Sequence, residues 1–316
     1  MCVRAVGPVF SPLDQAWGLD NSVYSPSMKR NMLWLSGLLP YAQAEAVLQR
    51  IGHQSVSDSS LWRSVQQHTD ALANDTPDTL PVETVVALSM DGGMVNIRDE
   101  GWKEFKVGLV SRVQERANPR PTESTLQSTP LAYTAVLGDV DTFAPVFRAV
   151  AEAYTELTGP RPAIVADGAI WIWGIAQRDF PRAVQIVDWF HTRQHLSNAA
   201  QALFPADPKA AATWLDARSD DLYAGHVQGI LDDLDKAGLS DEPHFFQTHQ
   251  SRMDYAAFRE AGYPMGSGSV ESEVKQFKAR LTGAGMHWSR SGAEHMLLLR
   301  AAVLDGSFDR RWALAA

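Results

Sequence analysis

The chain has 316 residues, 45% hydrophobic and 21% charged, with a formal net charge of -9. These values exclude an intrinsically disordered chain, and no apolar run approaches the roughly 20 residues needed to span a bilayer. A single cysteine, Cys2, excludes an intrachain disulfide and a cysteine-built zinc cluster, and with an N-terminus lacking a secretory charge-then-apolar profile it predicts a cytoplasmic protein. The acidic balance weighs against a nucleic-acid partner, whose binding draws on Lys and Arg. Binding needs only a local stripe, however. Two are legible: Lys275, Lys278, Arg280 and Arg290 near the C-terminal end, and Lys103, Lys106, Arg112, Arg116 and Arg120 along and after a predicted strand.

The first 80 residues read as a helical region closed by a linker from Asn74 to Pro81. Within it, Ala42 to Arg50 and Ser59 to Leu72 predict two helices around the turn Gly52 to Ser57, with Ser57 or Asp58 available as N-cap. That spacing suits a DNA-binding helix-turn-helix, and equally a helical hairpin that only packs. Strands are predicted at about 84–91, 104–113 and 131–137, then a helix from Thr142 to Leu157 with apolar residues at helical spacing. A strand ending at Asp167, a short helix from Ile170 to Arg178 and a strand ending at Asp188 follow. From about Trp189 to Gly262 the pattern is helical, and it reads as an all-helical insertion at about 192–262. The glycine-punctuated turn Gly266-Ser267-Gly268-Ser269 then opens a helix carrying Glu271, and Gly292 to Leu304 forms a last apolar helix, leaving 305–316 as a tail. Three meandering strands followed by alternating helix and strand predict an α/β fold with an RNase H-like mixed sheet, occupying 81–304. In that order the first and fourth strands are neighbours.

Three carboxylates stand out in this arrangement. Asp91 is expected to end the first strand before Gly92-Gly93, Asp167 ends another before Gly168, and Glu271 opens a helix. Each alone has an ordinary structural explanation, a turn acceptor for the aspartates and a first-turn helix acid for the glutamate. Together, on adjacent strands, they suit two divalent ions performing phosphoryl transfer on nucleic acid, with Asp91 bridging both. Glu273 is the rival to Glu271. His191 and His195 have the spacing of a metal-binding pair, but they serve equally as phosphate hydrogen-bond donors or as structural residues. Of the tryptophans, Trp102, Trp171, Trp173 and Trp189 read as packing residues, whereas Trp288 is the candidate for stacking on an unpaired base.

Several strings then take on a joint meaning: Ser89-Met90-Asp91-Gly92-Gly93, Gly101-Trp102-Lys103-Glu104-Phe105-Lys106, Ala166-Asp167-Gly168-Ala169, Ile186 to His191, Gly266 to Ser272 and Gly283 to Ser289. In this order the sequence resembles bacterial insertion-sequence transposases of the ISKra type, in the RNase H-like Asp-Asp-Glu group, from about residue 10 to 304. The resemblance implies that Asp91, Asp167 and Glu271 form a catalytic triad holding two Mg2+ ions, for which Mn2+ can substitute. It maps Asp188 and His191 onto an Asp-x-x-His motif near the active site. It further implies DNA, as element ends and target, for a partner, and a homo-oligomer on that DNA; the local charge of Lys275, Lys278, Arg280 and Arg290 and the ring of Trp288 make these the candidate DNA contacts. One departure is that relatives are expected to carry a cysteine cluster ahead of Phe10 to Asp14, where this sequence has Cys2 alone; this bears on recognition of element ends. A catalytically silent DNA-binding remnant and a metal-dependent nuclease of the same fold are the alternatives.

Overall fold

The computed structural model describes residues 12–13, 18–19, 23–73, 75, 80–81, 83–116, 126–155, 161–236, 241–266 and 270–315, with backbone alone for 241–242, 270–273 and 315. In chain order the helices are α1 (Pro26–Leu38), α2 (Tyr41–Arg50) and α3 (Asp58–His68), with a short 3-10 turn at Asp70–Ala73. The strands β1 (Val85–Ile97), β2 (Gly101–Glu115) and β3 (Leu126–Leu137) follow, then α4 (Val140–Thr155), β4 (Ala163–Ala166), α5 (Ile170–Asp179) and β5 (Val184–Val187). The remainder is helical: α6 (Trp189–Leu203), α7 (Pro208–Tyr223), α8 (Val227–Lys236), α9 (Asp241–His249), α10 (Tyr255–Glu260), α11 (Val270–Leu281), α12 (Arg290–Leu304) and α13 (Phe308–Ala315).

Two compact units divide the chain, one formed by 1–76 with 288–316 and the other by 77–287. The first division falls close to the linker expected at Asn74 to Pro81. The second does not match the sequence reading, in which residues up to 304 belong with the sheet. Here α12 joins the N-terminal helices, and the expected tail forms α13 in the same unit. The reason is shape: Gly37 of α1 lies so close to α12 that a Cβ would meet Val303 Cγ2 at 2.9 Å, and Arg300 Nη1 donates to the Gly37 carbonyl at 2.8 Å. Ser57 is the cap of α3, accepting from the Ser60 N–H, while Asp58 is the first helical residue. Met32, Ala44, Leu48, Val56 and Leu61 form the buried cluster that binds α1, α2 and α3 together.

The second unit is built on a five-stranded mixed sheet in the order β3-β2-β1-β4-β5. β1, β2 and β3 pair antiparallel, whereas β1, β4 and β5 are parallel. Every residue of β4 is buried, as expected for a parallel strand covered on both faces. Below one face, the rings of Phe143 and Phe147 from α4 stack 5.4 Å apart. The fit there depends on Gly108 in β2, where a Cβ would fall 2.2 Å from Phe147 Cδ2.

Asp91 departs from its expected position. β1 does not stop at this residue but continues to Ile97, with Gly92 opposite Lys106 and Gly93 opposite Phe105. The two glycines are thus close-approach positions rather than a turn. A side chain at Gly93 would fall 2.4 Å from Phe105 Cζ and 3.0 Å from Lys278 Cε.

Gly108→Ala should strain this packing. Overfilled cores lose about 1–3 kcal/mol, so calorimetry should give a Tm several degrees below wild type, and an unchanged Tm would mean that the Phe147 ring relaxes freely.

Candidate active site at the carboxyl edge of the sheet

Parallel pairing runs β1 and β4 side by side just ahead of two candidate aspartates. Ala87 pairs with Ala163 and Leu88 with Ile164; the pairing ends there, and Asp91 and Asp167 each follow three residues beyond the last pair. The pairs from Ala163 with Val184 to Ala166 with Val187 set Asp167 opposite Asp188, and the Asp188 N–H continues the ladder by donating to the Ala166 carbonyl at 2.7 Å. Asp167 and Asp188 thus follow directly on the ends of β4 and β5, whereas Asp91 lies inside β1, beyond its last pair with β4.

Each carboxylate has a distinct local role. Asp91 Oδ1 accepts from the Gly92 N–H, and Asp167 accepts from the Ala169 N–H at 3.0 Å, holding the loop that turns into α5. Asp188 is buried and caps α6 by accepting from the His191 N–H. The side-chain face of Asp91 follows from pairing, since residues directly opposite share a face. Ser89 opposes Leu109, Leu109 opposes Tyr133, and the Tyr133 ring lies edge-on to Phe277 of α11. Asp91, two residues beyond Ser89, thus belongs to the face that α11 covers. Glu271 lies in the first turn of α11, one turn ahead of the buried Val274. The side chains of Glu271 and Glu273 lie outside the described residues, as do Ser267 to Ser269 of the preceding turn.

Lys278 and Lys275 are exposed on α11, and Lys278 lines a groove of about 520 Å³ together with Asp91, Gly92, Gly93, Trp102 and Trp171. Three other proposed contacts are corrected. Arg280 is 2% exposed and Trp288 8% exposed, the latter edge-on to Tyr41, so neither presents its side chain to a ligand: Arg280 falls on the inner stripe of its helix, and Trp288 is a core residue of the helical unit. Lys106, in the other basic stripe, is also buried, with its Nζ 2.6 Å from Glu104 and 4.1 Å from the centre of the Trp171 ring. Arg290 is exposed and sits 3.9 Å from Glu294. Arg120 lies outside the described residues.

No protein-family model matches the chain. It is similar to the "UPF0236 protein in vanSb 3'region" of Streptococcus gallolyticus, with 21% identity over 315 residues, covering 95% of this chain and 68% of that protein.

Behind Asp167 the His191/His195 pair meets Phe245 and His249, which were not singled out from the sequence. His195 stacks on Phe245 with ring centres 3.6 Å apart, and the exposed His191 meets the His195 ring edge-on. On α9, Phe245 is followed one turn later by His249. Both surround Gly168, where a Cβ would lie 3.0 Å from Phe245 and 3.2 Å from His249 Nε2. Gly168 also has φ +108, so space and backbone both demand glycine. The signal was present as two pairs at i, i+4, His191/His195 and Phe245/His249, but nothing in one sequence shows that the two helices face each other. Among the described residues, no group of three His, Cys, Asp or Glu side chains could hold a metal ion.

His249 is neutral in the fold. Burial pushes its imidazole down to about 4, helped by the Arg252 guanidinium and by His195 and opposed by the Asp167 carboxylate. Arg252 Nη1 lies 3.2 Å from His249 Nδ1, and a guanidinium can only donate. Nδ1 is therefore the acceptor, and Nε2 carries the hydrogen toward the Gly168 turn. Tyr255 fastens the other side of the edge, its hydroxyl donating to the Val187 carbonyl at 2.9 Å and bonding Thr192.

A pH dependence follows from His249. Unfolded, the imidazole takes up a proton near pH 6.5, whereas the folded one resists until about 4. Stability is thus complete above pH 6.5 and falls as the pH drops toward 4, with a slope of up to ~1.4 kcal/mol per pH unit. Denaturant titrations of wild type and His249→Gln across that window should show a shallower decline in the variant; parallel curves would mean that His249 titrates normally in the fold.

Proposed function

We propose that the unit spanning 77–287 is the catalytic core of a DNA transposase, which cuts a strand at an element's end by hydrolysis and joins the freed 3′-hydroxyl to target DNA at the same site. The observation that carries this reading is that Asp91 and Asp167 each follow, by three residues, the last pair of the parallel β1–β4 ladder, on a sheet one face of which is covered by the helix bearing Glu271. The strand order β3-β2-β1-β4-β5, with the antiparallel meander on one side and parallel strands on the other, is the order an RNase H-like fold requires. Its helical segment between β5 and α11 supports the same reading.

The donor chemistry fits the ions that this reaction needs. Asp91 and Asp167 offer carboxylate oxygens, the ligand type that magnesium and manganese take; Glu271 is the residue assigned to complete the set. Two such ions, when bound, activate the attacking oxygen and stabilise the leaving one. The chain's own residues do the rest. Asp91 and Asp167 would hold the ions through their carboxylate oxygens. Asp188, by capping α6, fixes His191 at the edge of the site, and Lys278 offers a cation for a phosphate beside Asp91. The α2–α3 hairpin is the candidate reader of element ends, and two ends brought together call for more than one copy of the chain on the DNA.

Asp91→Asn, Asp167→Asn and Glu271→Gln should each lower magnesium-dependent cleavage of labelled element ends by ~10³-fold or more without lowering Tm, while Glu273→Gln should retain it. Full cleavage by any of the first three removes that residue from the site. Cleavage by wild type without joining to target DNA would make the protein a nuclease, and no cleavage with magnesium or manganese would make it a silent remnant.

A further inference from the structure

Beyond Leu88, β1 has β2 on one side and, among the described residues, no strand on the other, because its pairing with β4 covers Ala87 and Leu88 alone. This edge carries the half-buried Gly92 and the buried Gly93, which have no side chains of their own to fill the space beside it. Here the groove beside Asp91 passes over the sheet edge, bounded by Trp171 at the start of α5 and by Lys278 of α11. Its outer wall is Trp102, the residue that follows the β1–β2 turn and pairs with Asn96. Trp102 is 59% exposed and Met94, in the same groove, 45% exposed. A large aromatic ring left in water on a strand next to a polar groove suits a ligand with a flat apolar face.

We propose that this groove binds an unpaired nucleobase next to the reacting phosphate, with Trp102 stacking on the base and Lys278 contacting its backbone. The inference rests on the nucleic-acid reading above and adds to it the state of the substrate, a strand unpaired beside the bond that is cut. The chemistry of the walls selects this occupant: an aromatic face for the base, a cation for the phosphate, and the Asp91 carboxylate on the same groove. An apolar peptide would match Trp102 and Met94 but would gain nothing from Lys278. The stacking role that the sequence assigned to Trp288 therefore falls to Trp102, because Trp288 is buried.

The test uses the full chain and a single-stranded 12-mer carrying a central 2-aminopurine, whose fluorescence falls when it stacks. Wild type should quench the probe, and Trp102→Ala should bind it about tenfold more weakly, equivalent to ~1.4 kcal/mol, with the quench lost. Trp102→Phe should restore both to within about threefold of wild type, which a merely structural role would not reproduce. Lys278→Ala should weaken binding and flatten its salt dependence while leaving the quench of bound probe intact. Tight, quenched binding by Trp102→Ala would overturn the groove assignment and leave the nucleic-acid reading standing. Failure of wild type to bind the 12-mer or a duplex would overturn both.

Discussion

The parallel register of β1, β4 and β5 is the constraint on which the candidate site depends. Pairing at Ala87 with Ala163 and at Ala163 with Val184 leaves no freedom in which residues meet at the carboxyl edge. A shift of one residue would turn every side chain of a strand to the opposite face. β4, buried along its whole length, has no polar alternation to resist such a shift, and its register is held by its pairs with β1 and β5. Strand pairing therefore fixes the positions of the charged groups just beyond it. The carboxylates need no mutual attraction, which like charges could not supply.

Glycine does at this edge what side chains do elsewhere. At Gly93 the missing Cβ admits the Phe105 ring and the Lys278 stem, and at Gly168 it admits Phe245 and the His249 imidazole. Gly93 lies two residues beyond Asp91 and Gly168 follows directly on Asp167, and each lets a second element close on it. α11 reaches β1 through the first, and α9 reaches the β4 loop through the second. The helical segment after β5 is thereby held to the sheet beside Asp167 and, through Tyr255 and the Val187 carbonyl, beside Asp188 as well.

Much of this was legible in the sequence. Alternating and continuous apolar runs located the five strands, and the order of elements implied that β1 and β4 adjoin. Less legible were features set by contacts between distant segments. Gly92-Gly93 reads as a turn because those residues are common in turns, yet cross-strand partners in β2 keep β1 extended through them. Helix α12 reads as the end of the sheet unit because it follows α11, yet its small and apolar face fits Gly37 of α1. His249 carried no more local signal than its i, i+4 spacing from Phe245, since its significance lies in facing Gly168 across the chain. Exposure was the least readable property: Arg280 and Trp288 sit in polar strings and are buried, whereas Trp102 sits inside a strand and is exposed.

That inversion bears on how an acidic protein can hold a polyanion. Arg280 and Lys106 are withdrawn into the interior, Lys106 onto Glu104 and the Trp171 ring, so they contribute little to a surface field. The exposed cations that remain on α11, Lys275 and Lys278, are two charges one turn apart on the helix that covers the Asp91 face. Two phosphate contacts release few counterions, which makes the electrostatic share of binding modest. Stacking is insensitive to net charge, and a groove that joins one lysine to an exposed tryptophan relies on the interaction that an overall charge of -9 opposes least. Under the proposed function the carboxylates would repel a phosphate unless bound cations offset their charge.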